Sequence, residues 1–165
     1  IGLNQSINLA SNVTGTLPTA NGGTGATSFT AGKVLQVVSA NTNSAVANES
    51  TSYVDTGLTA SITPSSTSNK ILVLINQSIG KSNANVFQDL NLVRGSSELI
   101  QWANDVLYTA TVQHLYTFAS LNYLDTPSST SSLVYKTQFK SSSSTQVNAQ
   151  PAGSYSSITL MEVAG

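Results

Sequence analysis

Along residues 33–165, short runs of β-branched and aliphatic residues alternate with Ser, Asn, Gly and Pro punctuation at the spacing of an all-β chain. The pattern predicts strands near 33–39, 51–56, 58–63, 70–79, 85–94, 98–103, 112–124, 132–140, 144–149 and 155–163. Leu133, Tyr135 and Phe139 fall on one face of an extended chain and Lys136, Gln138 and Lys140 on the other, as a half-buried antiparallel strand requires. The run Ile71-Leu72-Val73-Leu74-Ile75 is apolar on both faces, so both sides need cover. In a two-layer sandwich the second cover has to come from another subunit. Residues 104–116 carry Val106, Thr109, Thr111 and Val112 with no preceding capping box, which reads as loop followed by strand rather than helix.

The first stretch has a different grain. Leu3, Ile7, Leu9, Val13 and Leu17 all occupy odd positions, so an extended chain places them on one face. One strand cannot bury such a stripe alone, whereas three copies around a threefold axis turn it inward. Pro18 and Asn21-Gly22-Gly23 then make a joint, because proline removes a backbone donor and glycine supplies left-handed turn positions. The expected organisation is an extended shaft segment with a Gly-rich joint over 1–31 and a β-sandwich over 32–165.

Composition narrows the function classes. Charged residues are only 8% of the chain, against about 25% in ordinary domains, and the net charge is −1. Six scattered Lys and Arg form no basic patch, which argues against nucleic acid. The longest apolar run is too short to span a membrane, and Ile1-Gly2-Leu3 has neither Met nor a signal-peptide pattern, so a longer chain with an upstream attachment region is expected. Cysteine is absent, which removes disulfides and thiolate chemistry. With so few charges, hydroxyls and amides must keep the surface wet, as on extracellular or virion proteins that meet carbohydrate.

Thr14-Gly-Thr-Leu-Pro-Thr-Ala-Asn-Gly-Gly-Thr-Gly25 resembles the junction that recurs in tail-fibre and other virion-fibre proteins of tailed phages. Gly32-Lys-Val-Leu-Gln-Val-Val38, Ile62-Thr-Pro-Ser-Ser66 with Asn69-Lys-Ile-Leu-Val73, Leu92-Val-Arg-Gly95, Tyr123-Leu-Asp-Thr-Pro127, Tyr135-Lys-Thr-Gln-Phe139 and Ile158-Thr-Leu-Met-Glu162 are similar, in order, to the strands of a phage fibre head domain. The resemblance implies an antiparallel β-sandwich of jelly-roll or tumour-necrosis-factor-like character. It also implies a homotrimer on the virion, attached to other virion proteins through its N-terminal region and exposed to the host. It does not distinguish tail from capsid fibres, and it carries over no receptor-contacting residue.

The chemistry legible in the residues is that of binding, not catalysis. His114 is the one histidine, so a multi-His metal cluster within one subunit and a Ser/His/Asp arrangement have little to build on. A structural His114 is the expectation, with three copies meeting on a trimer axis as the sharper alternative. Asp89, Glu98, Asp105 and Asp125 are the carboxylates that folding alone might gather, and nothing in their spacing specifies the pair a glycoside hydrolase needs. No cofactor is called for. A sugar presents an apolar C–H face and a rim of hydroxyls, so a glycan site wants an aromatic platform with amide and carboxylate partners. Trp102, Asn104, Asp105 and Tyr108 form the best local concentration, and Asn83 and Asn85 in Gly80-Lys-Ser-Asn-Ala-Asn85 a second. The resulting expectation is a non-enzymatic trimeric fibre head that holds a host-cell-surface saccharide. A fibre spacer that binds no receptor and a carbohydrate-binding module of a secreted bacterial protein remain as alternatives.

Overall fold

A computed structural model describes residues 33–165; the shaft and joint expected over 1–31 lie outside the described residues. Ten strands follow one another: β1 Val34–Thr42, β2 Val46–Asn48, β3 Val54–Ile62, β4 Lys70–Lys81, β5 Gln88–Arg94, β6 Ser97–Val106, β7 Leu115–Asp125, β8 Leu133–Ser141, β9 Val147–Ala149 and β10 Ser156–Val163. All pairings are antiparallel, and they form two sheets packed as a sandwich. The six-stranded sheet is built around β4. On one side β4 pairs with β7; on the other its first half pairs with β10, which leads to β1, and its last residues pair with β9, which leads to β2. The second sheet runs β3-β8-β5-β6.

Alternation decides what each strand buries. In β8, Tyr135, Thr137 and Phe139 face inward, and Lys136, Gln138 and Lys140 face out, as the sequence pattern predicts. In β4, Ile71, Val73 and Ile75 enter the core while Leu72 and Leu74 lie half-buried on the outer side of the sheet. Residues 104–116 hold no helix, as expected, but β6 runs on to Val106 before the loop and β7 begins only at Leu115.

Two differences from the expected strands have local causes. The runs at 51–56 and 58–63 are one strand, β3, because Gly57 takes φ 84° and absorbs a register shift between Asp55 and Thr59 without ending the strand. Strand β2 has only three residues, too few for any periodicity to show. The β5–β6 hairpin turns through Gly95, whose φ of 61° suits a two-residue connection.

The core divides in two. One cluster holds Leu58, Ile62, Ile71, Val73, Leu92, Tyr135, Ile158 and Leu160, the other Ile79, Val86, Leu90, Phe139 and Val147. Between them lies a buried polar layer. Thr56 bonds Thr137, Thr137 donates to Oε1 of Gln77, and Gln77 donates to Oε1 of Gln150, whose amide nitrogen reaches the carbonyls of Thr56 and Ser44. Each amide and hydroxyl of this layer thus finds a partner, which offsets the cost of removing it from water.

Candidate functional site

At the Lys81 end of β4, the loops 82–87 and 107–114 close on one another. Asn85 sits at φ 55° with its N–H donated to the Thr109 carbonyl at 2.8 Å, and the Tyr108 hydroxyl donates to Asn85 Oδ1 at 3.0 Å. The Tyr108 ring stacks on Phe87 with centroids 4.8 Å apart and remains half exposed. Beneath them Lys81 is fully buried. Its ammonium donates to the Asn83 carbonyl at 2.9 Å and to Thr109 Oγ1 at 2.5 Å, so one cation ties both loops together. Among the described residues no carboxylate pairs with it, and burial pushes its pKa below the usual lysine value. His114 belongs to the same region: it is exposed, its Nδ1 bonds Ser82 Oγ at 2.9 Å, and its ring meets Tyr116 edge-on.

The two groups singled out from sequence therefore regroup. Asn83, Asn85 and Tyr108 come together, although Tyr108 is more than twenty residues away from the asparagines. Asn104 and Asp105 lie one strand end away, where Gln101 donates to Asn104 Oδ1, Asn104 to Asp105 Oδ2, and the Asp105 N–H to Asp89 Oδ1. The Trp102 indole packs against both core clusters, with its Nε1 enclosed and unpartnered. The sequence places Lys81 in an exposed polar loop with Asn83 and Asn85; instead it ends β4 and is buried, and the sign available was its place at the end of a long apolar strand.

The two outer faces of the sandwich differ sharply. Over the four-stranded sheet, Lys136 pairs with Asp55 at 2.9 Å, Gln138 donates to the same carboxylate at 2.6 Å, Lys140 pairs with Asp89 at 3.3 Å, and Asn91 donates to Glu98 at 2.9 Å. Tyr53 lies under Lys140, and burial, reinforced by the charges of Asp89 and Glu98, pushes its phenol up to about 12. Asp125 is engaged elsewhere, accepting from Arg94 at 2.5 Å and from the Tyr135 hydroxyl at 2.6 Å. Among the described residues no group of three or more His, Asp and Glu is placed to hold a metal ion, and no helix is long and apolar enough to cross a membrane.

The chain matches no protein-family model and no curated protein sequence. It is similar in fold to a solved structure, the infectious bursal disease virus VP2 subviral particle, with a TM-score of 0.53 and 12% identity over 79% of this chain. A structure of the infectious bursal disease virus Gx strain aligns at 10% identity over 79% of this chain, with a TM-score of 0.46. The chain spans about a third of the length of these proteins, 33% and 37% respectively. What is shared at such identities is the all-β sandwich.

Proposed function

We propose that this chain is the head of a virion fibre, assembled from three copies, whose loops hold a saccharide on the host surface. The observation that carries this reading is the polarity of the sandwich. Lys33 accepts from the N–H of Ala164 beside the Lys70 end of β4, whereas the loop cluster of Asn83, Asn85 and Tyr108 stands at the Lys81 end. Twelve residues of strand separate the two ends, roughly 35 Å at about 3.3 Å per residue. Lys33, where the described sandwich begins, therefore lies at the end opposite these loops.

The loop chemistry supports adhesion. Tyr108 offers an exposed ring for the C–H face of a sugar, and amides and hydroxyls surround it. Each such site binds weakly, and three per fibre raise the effective affinity without new contacts. The sequence of the Thr14–Gly25 junction supports the fibre, and the likeness in fold to a viral capsid protein accords with a virion protein. Binding rather than catalysis is favoured because Asp89 and Asp125, two of the four carboxylates that folding could have gathered, each hold a cation and a further donor.

A glycan array probed with the intact chain tests this reading. Reproducible saccharide binding that is lost in Tyr108→Ala and weakened in Asn85→Ala is expected. Binding indifferent to both substitutions rejects these loops as the site, and a blank array rejects adhesion and leaves a spacer.

A further inference from the structure

Outward-facing residues of the six-stranded sheet form a surface unlike the rest of the protein. The strand registers align Val37 with Met161, Met161 with Leu72, and Leu72 with Leu124, so four apolar side chains run in one line across β1, β10, β4 and β7. Val37 is 55% exposed and Leu124 51%. Toward the Lys81 end the same face carries Phe118 and Tyr116, both about half exposed. The polar residues between are neutral, and two pairs of them are bonded to each other, Ser39 to Thr159 at 3.1 Å and Ser120 to Asn76 at 3.1 Å, while Asn122 and Ser157 stay exposed. Only Lys70, at the end of β4, brings a charge to this side of the four strands.

We infer that this face is where copies of the chain pack together, with the row Val37, Met161, Leu72 and Leu124 at its centre. The inference rests on the trimeric fibre reading and adds the surface that makes the trimer. A second copy is the occupant the chemistry selects. Polar pairs satisfied within the face are buried at little cost, and a face whose one charge, Lys70, stands at the end of β4 meets its own copy with few like charges opposed. A foreign partner is normally chosen by complementary charge, and the ions that could do so are gathered on the opposite sheet around Asp55, Asp89, Lys136 and Lys140.

The size also fits. Four strands about 4.8 Å apart and eight or more residues long cover about 500 Å² of flat sheet. Side-chain relief brings this toward the roughly 800 Å² per partner of a stable interface. Among the described residues strand β7 pairs only with β4, so its outer backbone edge, beside Leu124 and Phe118, has no partner among them and suits cover by a neighbouring copy. Because the row runs across the strands, three such sheets set with their strands along an axis close it into one apolar layer.

The chain has no cysteine, so single thiols report burial cleanly. Val37→Cys and Val134→Cys, on the outer faces of the two sheets and both exposed in the single chain, are compared for their rate of reaction with a bulky maleimide, alongside the native mass of the unmodified protein. The expected result is a mass of three chains, with Val37→Cys reacting at least tenfold more slowly than Val134→Cys. A three-chain mass with equal rates overturns the assigned face and leaves the fibre reading intact. A single-chain mass overturns both.

Discussion

Thr137 in the four-stranded sheet donates its hydroxyl to Oε1 of Gln77 in the six-stranded sheet at 2.8 Å, a hydrogen bond that crosses the middle of the sandwich. Both side chains are fully buried. Thr137→Val keeps the shape and leaves Gln77 Oε1 without that donor, so a loss of about 1–3 kcal/mol is expected in urea unfolding. Thr56→Val, one bond further along the same chain of donors, is expected to share part of that loss rather than add to it, which a double-mutant cycle measures.

Glu162 fastens the β3–β4 loop to β10. Its Oε1 accepts from the Ser65 N–H at 2.6 Å, the Ser65 hydroxyl at 2.7 Å and Asn69 Nδ2 at 2.6 Å. Burial alone raises a carboxyl's pKa, but these donors outweigh it and hold Glu162 below the usual carboxylate value. The folded protein therefore releases this proton more readily than the unfolded chain, whose glutamates titrate near about 4.3. The stabilisation is complete above that pH and is lost as pH falls through the lower folded value. Glu162→Gln is expected to destabilise at neutral pH and to flatten the fall in stability between about pH 5 and 3, as followed by thermal melts.

Gly80 lies under the ring of Tyr116. A Cβ there would stand 2.9 Å from Pro151 Cγ and 3.0 Å from Tyr116 Cε1, and closer still to Cδ1. Gly80→Ala is expected to cost about 1–3 kcal/mol through overpacking. Combining it with Tyr116→Ala should recover part of the loss, and melting temperatures of the two single variants and the double variant test this.

Trp102 and Tyr108 are expected to separate stability from binding. The indole of Trp102 is wedged between the two core clusters, so Trp102→Ala should cost about 3 kcal/mol in denaturant unfolding. Tyr108 is half exposed and stacks on Phe87, so Tyr108→Ala should cost about 1 kcal/mol. Loss of saccharide binding in the second without comparable loss of stability supports the loop site.

Alternation carried most of what was legible in the sequence. The inward set Tyr135 and Phe139 and the outward set Lys136, Gln138 and Lys140 fixed β8 from residue types alone, and the doubly apolar run 71–75 marked a strand with both faces in need of cover, while its place at the centre of the sheet came only from the pairings. Gly57 misled because a glycine that bulges a strand and a glycine that ends one look alike in sequence. The site was less legible. Tyr108 and Asn85 meet only because β4, β7 and the β5–β6 hairpin bring two loops to one end, a relationship of registers rather than of neighbouring residues. Trp102 stands out as the only tryptophan in the chain, yet in β6, whose pairing with β5 is broken by register shifts, it packs against the core.

The reading of the chain as a fibre head depends on assembly, and sedimentation equilibrium of the intact protein at micromolar concentration measures that directly. The account predicts a particle of three times the 17.1 kDa chain, persisting on dilution. A species of one chain mass, folded and stable with Val37, Leu72 and Leu124 open to water, would contradict it.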